Sequence, residues 1–496
     1  MSGAPMSRRR ALGLIAVGTA GITVGAAGWA ASLSSPVGSD APPWPGASGQ
    51  LLTEPPVLAS HNGALDVELT AAPGVALAGW DTAALGYNNT SPGPTLRVAP
   101  GELLRIRLTN HLQTPTNLHT HGLHVSPQDH GDNPFISIAS GAAFDYAYRI
   151  PADHPAGTYW YHPHHHGHIA DQLFGGLVGA LLIDHGPELP VTSDRVLLVT
   201  DTSLDATGRI AAAGMMDKMM GRQGQLVLVN GQHQPVIAAA PGGTQRWRII
   251  NGCASRVLSL RLADHPLIHV ASDGGFLPAP VDRDHIVLAP ANRADVIVRP
   301  ARAGQYPLVT APYDRGTGMM SSMMASRATG PITLATLTVT GPAAASPPVP
   351  ATLPAPPIPM GPITGQRQLT FAMGMSGMDT MGDMNGMGMS LTIDGRTFDP
   401  SRDDQTVRLG STEEWTVTNT SPMDHPFHLH VWPFHVLADS LGTPRTATRQ
   451  DVVIVPARGW VRLRIPFTDY TGRSVYHCHT ADHEDAGMMG TIAVTS

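Results

Sequence analysis

Close to its C-terminus the chain reads His477-Cys478-His479-Thr480-Ala481-Asp482-His483, with Met488 five residues further on. One thiol, three imidazoles and a thioether so close together make a donor set for a soft metal ion. On a β-strand, residues i and i+2 point to one face and the residue between them to the other. A strand here would aim Cys478 one way and His477 and His479 the opposite way. A thiolate with two His and a distant axial Met is the trigonal set of a blue-copper site. Cys478, His483 and Met488 supply three of those donors, and His425 of His425-Pro426-Phe427-His428-Leu429-His430 supplies the fourth. Residue 478 then joins an electron-accepting site to a second metal cluster behind its own strand.

The sequence holds 24 His, 21 Met and only 2 Cys. Random placement of that many His would give about one His-x-His pair, whereas six are present, at 119/121, 162/164, 164/166, 166/168, 428/430 and 477/479. The surplus points to metal binding. His119, His121, His162 and His164 come from the first third of the chain and His428, His430, His477 and His479 from the last. These eight suit a cluster where two domains meet.

The elements that must hold these residues are short strands. Gly (53) and Pro (45) are abundant, which favours strands joined by turns over helical bundles. Three segments align: Pro100-Gly101 to Asn110, Pro241-Gly242 to Asn251, and Leu409-Gly410 to Asn419. Each is a turn Gly, a strand alternating with period two, and an exit Asn. The stretch ending in His162-Pro163-His164 also matches the one ending in His477-Cys478-His479. The middle repeat has Gly304-Gln305-Tyr306-Pro307 there and no metal-type residue. The predicted fold is all-β, three consecutive Greek-key β-sandwich domains at 50–187, 188–341 and 363–496, with a Pro/Ala-rich linker at 342–362. A net charge of −7 with 14% charged residues excludes a basic nucleic-acid surface, and two Cys exclude a disulfide framework. Ser7-Arg8-Arg9-Arg10 and the Gly-rich apolar stretch after it read as a twin-arginine-type signal peptide over 1–31. The expected destination is periplasmic, cell-surface or secreted, with no membrane span once the signal is cleaved.

Four motifs, His119-Thr120-His121-Gly122, Trp160-Tyr161-His162-Pro163-His164, His425-Pro426-Phe427-His428-Leu429-His430 and the His477–Met488 run, resemble those of three-domain bacterial multicopper oxidases of the cuprous-oxidase or laccase-like branch. The resemblance implies cupredoxin-like domains and four copper ions: one type 1, one type 2 and two type 3. By it, His425, Cys478, His483 and Met488 bind the type 1 copper, and His119 and His428 the type 2. His121, His162, His164, His430, His477 and His479 bind the type 3 pair. It implies one-electron oxidation of a reductant coupled to four-electron reduction of O2 to water, by a monomer. Glu484 matches one of the family's two proton-relaying carboxylates. Asp132 is expected as the other catalytic carboxylate, with Asp129 next in line. Domain one has Pro163 where domain three has Cys478, so it holds no blue site. Cys253 is expected to be an inert buried thiol. His165, His166 and His168 are left outside the ligand set, and His124, His130 and His435 flank it. His61, His185, His233, His265, His269 and His285 read as ordinary surface or core residues.

Methionine bears on the substrate. Met373, Met375, Met378, Met381, Met384, Met387 and Met389 are interleaved with Gly, Asp and Asn, which oppose both a helix and a core. An open thioether-rich loop suits capture of Cu(I). Met423 lies two residues before His425. In the cuprous-oxidase branch an Asp stands four before that His; here it is Ser421, with Asp424 the nearest carboxylate. The substrate set is therefore these seven Met with Met423 and Asp424. The expected reductant is Cu(I), oxidised to Cu(II) in copper detoxification. The alternatives are a laccase-like oxidase of small phenols or aromatic amines and a non-catalytic copper-binding protein. Met215-Met216-x2-Met219-Met220 and Met319-Met320-x2-Met323-Met324 fit helix packing and copper binding equally well.

Overall fold

The Gly–strand–Asn repeat forms the middle of three sheets. Leu103–Asn110, Gln245–Asn251 and Ser411–Asn419 each run parallel to an earlier strand, namely Ala64–Leu77, Ser193–Thr202 and Gly365–Ser376. Along the other edge each pairs antiparallel with Ala143–Arg149, Arg293–Val298 or Trp460–Phe467. Period-two alternation sends Leu104, Ile106 and Leu108 into one core, Trp247 and Ile249 into a second, and Trp415 and Val417 into a third. This computed structural model describes residues 48–496 apart from 184–188, 317–329, 346–347, 358–360, 377–387 and 444–447.

The exit Asn does the same work three times. The Asn110 amide donates to Thr114 O and Ile138 O, that of Asn251 to Arg256 O and Leu288 O, and that of Asn419 to Met423 O and Val455 O. Each side-chain oxygen accepts the backbone N–H two residues on, from Leu112, Cys253 and Ser421. A buried amide thus satisfies the carbonyls left open where the strand ends. In the third repeat the clamp fixes the turn that delivers His425.

Facing sheets complete three consecutive cupredoxin-like β-sandwiches. A five-stranded sheet covers the four-stranded one in the first, and a six- and a five-stranded sheet build each of the others. Helices are short: α1 Ile169–Gly175, α2 Met215–Met220 and α3 Ala481–Asp485. From residue 48 the described chain runs along domain two, where Gly49 N–H donates to Gln234 O and Leu52 packs on the core, before it enters its own sandwich. The Pro/Ala-rich stretch also lies on domain two. Leu353 is buried with Val270, Phe276, Leu277 and Ile297, so apolar packing holds part of this linker in place. The expected signal at 1–31 lies outside the described residues. Among those described, no helix is long and apolar enough to cross a membrane.

His435, on the strand Phe434–Asp439, is buried away from the metal-type cluster and its Nδ1–H donates to Thr448 O at 3.0 Å. Burial lowers its pKa from 6.5 to about 4. A depressed His binds its proton in the unfolded chain first. Its stabilising contribution is therefore complete above pH 6.5 and is lost as pH falls from there through about 4. Denaturant midpoints measured across this window should fall with pH, and His435→Gln should flatten that fall; an unchanged slope would exclude His435 as its source.

Candidate metal centres

Four strands carry the imidazoles: β1 His119–His121, β2 Gly157–His162, β3 His425–Leu429 and β4 Gly472–Cys478. On β1 and β2, His119 stands opposite His162 and His121 opposite Trp160. On β3 and β4, His428 stands opposite His477 and Phe427 opposite Cys478. The two sheets meet so that the eight histidines expected at the interface converge, all of them buried.

Their hydrogen bonds decide which nitrogens are free. His119 Nδ1–H donates to Asp132 at 2.9 Å and His428 Nδ1–H to Asp451 O at 2.7 Å. Their Nε2 lone pairs then face each other at 3.4 Å. His121 Nε2–H donates to Asp451 Oδ1 at 2.9 Å and His162 Nδ1–H to Pro163 O at 3.0 Å. That leaves His121 Nδ1 and His162 Nε2 facing each other, also at 3.4 Å. Nε2 of His164, His430 and His477 lie 3.1 to 3.2 Å apart. His479 is buried with neither ring nitrogen hydrogen-bonded, its ring 5.1 Å from that of His121. The opposed lone pairs of His119 and His428, and of His121 and His162, repel in a dry cavity unless a cation sits between them. Burial, then neighbouring imidazoles, holds His119, His162 and His430 well below the usual His range, so they stay neutral donors. These residues fit transition-metal ions.

Behind β4 lies the second set. Cys478 Sγ is 3.4 Å from His425 Nδ1 and 3.8 Å from His483 Nδ1, and those two nitrogens are 3.2 Å apart. Met488 is buried in the same core, and its N–H donates to His483 O. The far side of each ring is occupied. His425 Nε2–H donates to Ser421 Oγ at 2.7 Å, the hydroxyl standing where the family pattern has Asp. His483 Nε2–H donates to Met219 O of α2 at 3.0 Å. Burial pushes the Cys478 thiol up to about 12. A bound cation is what would hold it as thiolate. Cys253 is buried in the domain-two core near Val199 O, outside this donor set, and burial pushes its thiol well above the usual range.

Both expected carboxylates border the cluster. Asp132 accepts from His119 Nδ1–H and from Thr120 N–H at 2.9 Å. Burial raises it to about 7 against those hydrogen bonds. Glu484 lies 2.8 Å from His164 Nε2 and 3.1 Å from His477 Nδ1. Burial opposes its ionisation, yet His477 and His164 hold it well below the usual carboxylate range. Asp129 is exposed, with a left-handed φ of 49°. Of the flanking histidines, His124 bridges Val431 O and Asp469. His130 is exposed and stacks on Phe144. His165 reaches Ser137 Oγ outside the cluster.

The expected substrate residues divide. Met378, Met381, Met384 and Met387 lie outside the described residues. Met375 pairs with Met389 and Met373 with Leu391 across a hairpin, and Met373 packs on the domain-three core. Where an open loop was expected, the Met373-Gly374-Met375 alternation makes strand. Met423 is buried, and Asp424 accepts from Tyr313 OH at 2.9 Å and Ala457 N–H at 2.7 Å.

Two residues at the site were not anticipated. Asp451 is buried against His121, and Arg293 of domain two clamps it with Nη1–Oδ1 and Nη2–Oδ2 both at 2.7 Å. Arg293 Nε–H donates to Thr158 O of domain one, so a single guanidinium touches all three sandwiches. No spacing in the sequence links residues 293 and 451.

Three family models, each described as Multicopper oxidase, match residues 71–188, 194–339 and 366–496. A multicopper oxidase of Staphylococcus aureus is 28% identical over 423 residues, covering 83% of this chain and 84% of the relative. The cell division protein FtsP of Edwardsiella tarda is 27% identical over 468 residues, covering 90% and 92%. A solved multicopper oxidase from Campylobacter jejuni, described as a metallo-oxidase, superposes with a TM-score of 0.81 at 30% identity, covering 90% of this chain and 96% of that one. With matches in chain order over all three sandwiches and two buried donor sets sharing one strand, this chain belongs to the multicopper oxidase family.

Proposed function

We propose that the chain is an exported oxidase that takes single electrons from Cu(I) and passes them to O2. In this reading His425, Cys478, His483 and Met488 hold a type 1 copper and His119 and His428 a type 2. His121, His162, His164, His430, His477 and His479 hold a type 3 pair. Those ions supply one-electron acceptance and the reduction of dioxygen to water. The observation that carries the reading is the sharing of strand β4. Cys478 faces His425 and His483 while its neighbours His477 and His479 face the other cluster, so covalent bonds alone connect the two donor sets.

The other residues orient donors and handle protons. Asp132 fixes the His119 tautomer and, balanced near pH 7, holds or releases a proton at its carboxyl oxygens. Glu484 stays ionised between His164 and His477 and accepts a proton there when those rings shift. Ser421 and Met219 O fix the tautomers of His425 and His483, leaving each Nδ1 free toward Cys478.

Copper as substrate is favoured by thioether-rich segments in domains two and three, and the Campylobacter relative is itself described as a metallo-oxidase. The complete donor sets favour turnover over a non-catalytic copper-binding role. The test is oxygen uptake by copper-loaded protein supplied with Cu(I) or with a phenol. Saturable uptake with Cu(I), exceeding that with the phenol, is the expected result. Faster uptake with the phenol at every concentration would make the laccase-like reading correct.

A further inference from the structure

The helix α2 resolves the ambiguity of its four methionines. A packing face would be buried, but none of its residues is; Met215 is 83% exposed, and Met216, Met219 and Met220 are each partly exposed. Spacing of three and four places these thioethers side by side along one helix surface. The Asp217 carboxylate accepts Gly214 N–H at 3.0 Å and adds negative charge beside them.

The opposite end of α2 is bolted to the electron-accepting centre. Met219 O takes the proton of His483 Nε2 at 3.0 Å, and Met220 O accepts from Arg315 Nη2 at 2.6 Å. Arg315 is anchored in turn to Ser255 O at 3.2 Å. Just beyond, Gly221 adopts a left-handed φ of 72°, where a Cβ would collide with Thr480 and Ser255. The helix is therefore held through its last two carbonyls, Met219 O on His483 and Met220 O on Arg315, while its four methionines stay at least partly exposed. Of the domain-three candidates whose side chains are described, Met423 is buried, Asp424 is committed to Tyr313 and Ala457, and Met373 packs on the core.

We propose that α2 is a Cu(I) docking site, with Met215, Met216, Met219 and Met220 as its soft donors. The inference rests on the cuprous-oxidase reading. A Cu(I) ion held there loses one electron and leaves as Cu(II). The electron crosses the Met219 carbonyl to the His483 imidazole through one hydrogen bond, and dioxygen is the final oxidant.

The test replaces all four Met with Leu, which preserves volume, helix propensity and the Met219 carbonyl. Copper-loaded proteins are first compared by their blue absorption, which reads the state of the His483 centre without turnover. Anaerobic competition for added Cu(I) against a chromophoric chelator then counts weakly held ions. We expect the variant to keep its blue band, to lose at least one such ion, and to show a KM for Cu(I) about tenfold higher or more. Equal Cu(I) binding by variant and parent overturns the proposal, as does a loss seen only on deleting 377–387. Should the quadruple variant fold poorly, Met215→Leu, at a side chain 83% exposed, gives the same readout. Oxygen uptake by the parent judges the oxidase reading separately: if Cu(I) binds α2 yet drives no uptake, the docking site stands and the substrate assignment falls.

Discussion

Cys478→Ser is expected to abolish absorption near about 600 nm and to stop turnover with every reductant, while the protein stays folded. The thiol is fully buried, 3.4 Å from His425 and 3.8 Å from His483. Oxygen in place of sulfur changes the volume little, so packing with Phe427 and Met488 in the domain-three core survives. What is lost is the soft, polarisable donor whose bond to copper produces the blue colour and accepts the electron. Copper content should drop by one ion while the eight-histidine cluster keeps its own, since none of those rings depends on sulfur. Cys253→Ser is the control, because its thiol is packed in the domain-two core near Val199 O and belongs to neither donor set. A blue band that persists in Cys478→Ser would refute the assignment, and one that vanishes in Cys253→Ser would redirect it.

Arg293→Met should be strongly destabilising. It leaves Asp451 and Asp273 buried without their cation; Arg293 Nη1 lies 2.7 Å from Asp451 and 3.5 Å from Asp273. Breaking one side of a buried ion pair costs about 3 to 5 kcal/mol, because the remaining charge has no solvent to stabilise it. The bond to Thr158 O goes as well, so contact among the three sandwiches weakens at its centre. Urea unfolding should shift by that amount, and copper should leave faster to a chelator, since Asp451 no longer holds His121 squarely. Arg293→Lys should recover part of the loss, because an ammonium cannot make the bidentate contact. Adding Asp451→Asn to Arg293→Met should recover another part by removing the stranded charge. An unchanged urea midpoint in Arg293→Met would show that the clamp contributes nothing.

How far the sequence reveals this arrangement depends on whether a contact is local. His-x-His pairs and the run from Cys478 to Met488 are legible because strand geometry turns spacing of two into a shared face. The repeat of Gly, strand and Asn is legible for the same reason, and it marks the central strand of all three sandwiches. The Arg293–Asp451 clamp spans 158 positions, and neither residue stands in a motif, so only the folded chain joins them. Spacing alone also left the methionines of α2 undecided, since core packing and ligation share the same periodicity. Exposure separates the two. At Met423 it points the other way, because the core claims it, and Met373, though partly exposed, packs on that same core.

Asn251 ties its turn with the same bonds as Asn110 and Asn419, yet no donor set stands over it. Amide hydrogen bonds are therefore enough to finish that turn. Its counterpart in domain three, which carries His425, is closed in the same way by Asn419. For biogenesis this means that the turn presenting His425 needs no metal to close, so that ligand is in place before copper arrives.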